Sequence, residues 1–134
     1  MIMSHKEKII HATNELLGKG NYSVINEVFL EHYLAHVQGE VYRGHYFVIR
    51  FIEQLRLSIP DLCVKEIQFL TQKPDSIAWQ RTLTGTHQCN IYGIPASGRN
   101  VEWREMIVTQ FKEDKISEER IVSELRGELL MRVA

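Results

Sequence analysis

Apolar residues recur at helical spacing through the first part of the chain and at alternating spacing through the rest, with the change of period near Pro60. Ser4 and Glu7 form a capping-box pattern, in which each side chain satisfies the other residue's free backbone N–H. Behind it Ile9, Ile10, Thr13, Leu16 and Leu17 make one stripe, and Gly18 and Gly20 stop the run. A second helix is predicted after Asn21, with Val24, Ile25, Val28 and Phe29 on one side. Residues 30–43 fit neither period, with Gly39 and Gly44 as punctuation. From His45 to about Leu57 the stripe returns as Val48, Phe51, Ile52 and Leu55, and Pro60 and Asp61 end it.

After Pro60 the side chains alternate, and residues 62–70 read as a strand. Lys73-Pro74-Asp75 is a turn, Ser76 to Ile91 a long strand, Asn100 to Phe111 another, and Lys115 to Leu125 the last. Three helices followed by four sequential strands predict an α+β domain, with one antiparallel sheet carrying the helices on a single face. Long consecutive strands coil, and a coiled sheet covered on its concave side leaves a cone-shaped cavity.

The chain of 134 residues is long enough for one domain with a full core. A net charge of -1, with 16 basic and 17 acidic residues spread evenly, shows no basic stripe and so no footprint of a nucleic-acid partner. No apolar run approaches a membrane span, and the start Met1-Ile2-Met3-Ser4-His5-Lys6 lacks the apolar core of a signal peptide. Cys63 and Cys89 have neither metal-site spacing nor the number for a disulfide framework, so a reduced, cytoplasmic protein is expected.

Chemistry concentrates in two stretches. Arg81-Thr82-Leu83-Thr84-Gly85-Thr86-His87 delivers an imidazole, the side chain that titrates nearest neutral pH, to a fixed place before the turn Gly93-Ile94-Pro95-Ala96-Ser97-Gly98-Arg99. Lys115-Ile116-Ser117-Glu118-Glu119 and Glu124-Leu125-Arg126-Gly127 supply carboxylates on the last strand.

These stretches, with His36 in Tyr33-Leu34-Ala35-His36, Gly44 and Ile59-Pro60-Asp61-Leu62, resemble the SnoaL-like polyketide cyclases. They stand in family order over nearly the whole chain. That family belongs to the nuclear-transport-factor-2-like group of cone-shaped α+β barrels. The resemblance implies a pocket at the open end of the cone, no cofactor, a small-molecule substrate, and a homodimer with sheets back to back. It also implies an aspartate on the last strand as acid/base of an intramolecular aldol closure, and its counterpart here is Glu124. The family's tryptophan four residues earlier is Arg120, the glycine two residues after the histidine is Cys89, and the usual glutamine-leucine-glycine ending is Met131-Arg132-Val133.

Trp79, Arg81, Leu83 and Gly85 share a face with His87, and Glu118, Arg120 and Val122 share one with Glu124. If both faces line the cone, Glu124 acts as acid/base and His87 orients it or binds the substrate oxygen, with His36, Arg81, Trp103 and Arg120 as substrate contacts. A carboxyl desolvated there would titrate nearer neutrality and could move a proton to and from carbon. The bland alternatives are an edge histidine, a solvated acid at Glu124 and a surface ion pair at Arg120. A non-catalytic ligand-binding or interaction module on the same scaffold is the rival function. His32 and His36 would share a helix face, as zinc ligands do, but no third ligand stands at matching spacing, so no metal is expected.

Overall fold

The structure, a computed structural model, describes residues 2–131. Helix α1 (His5–Thr13) starts at the capping box: Glu7 N–H donates to Ser4 Oγ and Ser4 N–H to Glu7 Oε1, both at 3.1 Å. One turn of π-helix (Asn14–Gly18) extends it. A 3-10 turn (Tyr22–Val24) then leads into the short α2 (Ile25–Val28). The second predicted helix is therefore brief, and Phe29 already belongs to a strand.

Residues 30–43 resolve into β1 (Phe29–Val37) and β2 (Glu40–Arg43). Between them Gln38 and Gly39 both take positive φ, 52° and 82°, the two-residue turn whose twist suits a hairpin. The long helix α3 (Gly44–Ser58) follows, burying Val48, Ile52 and Leu55. Strands β3 (Cys63–Lys73), β4 (Ser76–Thr86), β5 (Asn100–Lys112) and β6 (Lys115–Ser123) come next, and α4 (Leu125–Met131) closes the described chain. The sheet runs β2-β1-β6-β5-β4-β3, with the β1–β6 pair parallel and every other pair antiparallel.

The α+β class is as expected, but the described residues hold four α-helices and six strands. Sequence periodicity missed β1 and β2 because this hairpin lies at the sheet's edge, and β2 is exposed along its whole length. It also ran the Ser76 strand too far: β4 ends at Thr86, whose N–H and hydroxyl bond Asp61 at 2.7 and 2.8 Å. Two hydrogen bonds, His87 N–H to Arg99 O and Gly98 N–H to His87 O, both 2.9 Å, carry the chain into the loop beyond.

Strand β5 alternates without exception, burying Val101, Trp103, Glu105, Ile107, Thr109 and Phe111 beneath the helices. Strand β6 does not alternate so simply. Gln110 pairs with Glu118 but Phe111 with Ile116, which leaves Ser117 as an extra residue in a bulge. One inserted residue reverses the faces of everything after it. Ile116, Glu119 and Ile121 thus all point inward, while Arg120 and Val122 point out. No helix among the described residues is long and apolar enough to cross a membrane.

Candidate functional site

A cavity of about 50 Å³ lies between the inner sheet face and helices α1 and α3. Its walls are mainly apolar, including Leu16, Phe47, Phe51 and Ile121, and the polar side chains of Thr13, Tyr33, Arg81 and Glu119 also line it. The bulge in β6 is what turns Glu119 inward, and Tyr33 comes from the middle of β1 beside it.

Both carboxylate oxygens of Glu119 are held. The Tyr33 phenol donates to Oε1 at 2.8 Å and the Thr109 hydroxyl to Oε2 at 2.5 Å. Thr109 Oγ1 in turn accepts the Trp79 indole N–H at 2.8 Å, so its own proton is committed to Glu119. Burial pushes the Glu119 carboxyl above the usual carboxylate range, opposed by Thr109, Tyr33 and the positive charge of Arg81. Tyr33 is pushed well above the ordinary phenol value, first by burial and then by Glu119. Each oxygen of a carboxylate offers two lone pairs, so one hydroxyl donor apiece leaves capacity to take a proton from a guest.

Arg81 is anchored on the other side. Its Nε and Nη2 lie 2.8 and 2.7 Å from Glu105 Oε1, and the Trp103 indole donates to Glu105 Oε2 at 3.2 Å. The guanidinium carbon sits 5.5 Å from the centre of the Trp79 ring. A buried acid, a cation neutralised by a second acid, and two indole donors therefore make one continuous polar seam under an apolar cavity.

Of the residues expected at the site, only Arg81 lines this cavity. Trp103 is interior, 1% exposed, and meets the seam through Glu105. His36 and Arg120 lie on the outer face of the sheet, where both contact Glu118 Oε2, at 2.5 and 3.4 Å. The bulge at Ser117 explains Arg120, because it turns the face shared by Glu118, Arg120 and Val122 away from the helices; His36 faces out because it alternates with the buried Ala35 on β1. His32 and His36 sit on a strand, where four residues span roughly 13 Å, and the described residues hold no group of three metal-ligating side chains.

Glu124 and His87 do not meet. Glu124 is exposed and lines a separate polar groove of about 360 Å³ with Arg99, Glu102 and Arg104. Its Oε1 accepts the Arg104 N–H at 3.2 Å while its own N–H donates to Arg104 O at 3.0 Å, extending the ladder past the end of β6. His87 is fully buried but lines neither cavity. Its Nδ1 accepts the Ser97 N–H at 3.3 Å and lies 3.0 Å from the Ser97 hydroxyl, so the proton belongs on Nε2. That nitrogen is buried without a hydrogen-bond partner among the described residues. His87 thus clasps the glycine- and proline-rich loop. Arg132 and Val133 of the altered ending lie outside the described residues.

Reasoning from sequence missed Glu119. The available signal was the spacing of Ile116 and Ile121, an odd interval that cannot place both in one core on a regular strand.

The family model of SnoaL-like polyketide cyclases matches residues 7–129. Among curated proteins nothing matches. Solved structures with the same fold include TsrD from Streptomyces laurentii, with 16% identity and a TM-score of 0.81, covering 96% of this chain and 98% of that one. A SnoaL-like polyketide cyclase from Agrobacterium tumefaciens has 16% identity and a TM-score of 0.80, covering 99% and 100%. AclR from Streptomyces galilaeus, a candidate hydroxylase, has 20% identity and a TM-score of 0.79, covering 95% and 92%.

Proposed function

Since the chain belongs to the SnoaL-like polyketide cyclase family, we propose that it is a cofactor-independent proton-transfer enzyme acting on a small, partly apolar carbonyl compound, with Glu119 as acid/base. The observation that carries this reading is a carboxyl buried at the wall of an apolar cavity, shifted upward by burial, with both oxygens oriented by hydroxyl donors. A base raised toward neutrality and fixed in direction is what abstraction of a proton next to a carbonyl requires. In an intramolecular aldol closure Glu119 takes that proton. The resulting enolate carbon attacks the second carbonyl of the same molecule, and the new alkoxide recovers a proton from the Glu119 acid. Arg81, beside the same cavity, offsets the negative charge that develops on oxygen.

The correspondence between Glu124 and the family's aspartate supports a second assignment of the acid/base, in the polar groove. Glu119→Gln and Glu124→Gln, assayed against a panel of small ketones and diketones, separate the two. We expect Glu119→Gln to lose at least about 100-fold in kcat, as removal of a general base does, and Glu124→Gln to stay within about threefold. The reverse pattern assigns the chemistry to the groove. Equal turnover in all three proteins removes both carboxyls from the mechanism, and no turnover in any favours the binding-module reading.

We also propose that two copies pair through the outer sheet face. There Met106 and Val122 stand opposite each other in register, and both are at least half exposed, with Val108 nearby. Val122→Glu should convert a dimer into a monomer in light scattering; a wild-type monomer overturns the pairing.

A further inference from the structure

The inner cavity of about 50 Å³ falls well short of the 300–1,000 Å³ typical of a ligand pocket. Directly outside it lies a groove of about 410 Å³ between α3, the β1–β2 hairpin and the loop that carries Tyr92. Three residues, Phe47, Phe51 and Ile121, line both spaces, so their side chains are the partition between them. The partition is aromatic on both sides. Phe47 stacks on Tyr42 with ring centres 4.6 Å apart and planes within 11°, and Phe51 leans on Phe47 at 5.8 Å. Phe47 and Phe51 are each only half-buried and stand four apart on the exposed shoulder of α3. A rotamer change there therefore disturbs one helix face and leaves the sheet intact.

We infer that Phe47, Phe51 and Ile121 form a septum that sets substrate size, and that the outer groove holds a flat apolar ring while the attached carbonyl passes the septum toward Glu119. This rests on the reading of the inner cavity as the reaction chamber. Neither space serves alone: the inner one has the acid but no room, and the outer one has room and aromatic walls but is cut off from Glu119. A ring in the groove would contact Tyr42, Phe47 and Tyr92, surfaces suited to stacking. An aryl ketone joins both requirements in one molecule.

Calorimetric titration with acetophenone and 2-acetylnaphthalene tests the septum without any need for turnover. Phe51→Ala merges the two spaces and should bind 2-acetylnaphthalene at least tenfold tighter than wild type. Ser123→Phe narrows the groove from the β6 side and should weaken both ketones at least tenfold. Near-ultraviolet circular dichroism checks that each variant is folded, and Phe51→Leu replaces Phe51→Ala if the latter is not. Unchanged affinity in the Phe51 variant overturns the septum, and unchanged affinity in Ser123→Phe overturns the groove as ring site. Binding as expected without turnover would sink the catalytic reading and leave the septum standing.

Discussion

At the scale of single residues the informative contrast is between Glu119 and Glu105, two acids buried on one inner face and balanced in different ways. Glu105 is held by a guanidinium, whereas Glu119 has only neutral hydroxyls in hydrogen-bond contact, with Arg81 acting from further off. The folded pKa of Glu119 lies above its unfolded value of about 4.3, so the native state keeps the proton to higher pH. The stability it confers is complete below the unfolded value of about 4.3 and is lost as pH rises from there through the raised folded value. Urea midpoints of wild type and Glu119→Gln, compared from about pH 4 to pH 8, should therefore move apart, with wild type losing ground as pH rises. Parallel profiles would show that Glu119 titrates normally. Arg81 gives a second check. Arg81→Met alone strands a buried carboxylate and should cost about 3–5 kcal/mol in chemical denaturation. Arg81→Met combined with Glu105→Leu should recover most of that loss, because the stranded charge is gone.

Elements were legible in the sequence wherever one face meets the core and the other meets water. The capping box, the α3 stripe and the strict alternation of β5 all follow from that division. Where an element is exposed on both sides, as β2 is, no period survives to be read. The bulge in β6 is the instructive failure, since a pattern reader who assumes a regular strand puts Glu118 and Arg120 inside. Deleting Ser117 should turn β6 into a regular strand without reversing it, since Ile116 and Glu118 can keep Phe111 and Gln110 as partners and Glu119 and Ile121 then still face inward; the expected outcome is a retained cooperative thermal transition. Loss of that transition would mean that the bulge is needed for more than the offset between Ile116 and Glu119. Close packing sets Gly85 too, for a Cβ there would sit 2.2 Å from Ile59 Cγ2 and 3.4 Å from Leu62 Cα. Gly85→Ala should destabilise by about 1–3 kcal/mol, through overpacking between β4 and the segment after α3. Thermal denaturation measures it directly.

For the molecule as a whole, the α+β class could be inferred from the chain, but the β1–β2 hairpin ahead of α3, the helix α4 after the sheet and the location of the chemistry could not. The histidine motif correctly marked a structural node, since His87 clasps the loop that follows β4, and it said nothing about which cavity the node faces. Arg81 was recoverable because β4 alternates regularly, which ties its side chain to the face that also carries Trp79. Glu119 was not, because its orientation is decided by a pairing offset between two strands rather than by any property of its own neighbours. The pairing of β1 has a temporal corollary. Its partner on one side is β2, but its other edge is satisfied only by β6, which is synthesised after the other five described strands. Until then the early hairpin carries an open edge, and the chamber has neither Glu119 nor its far wall. Nascent chains halted before β6 should therefore be the species that chaperones hold.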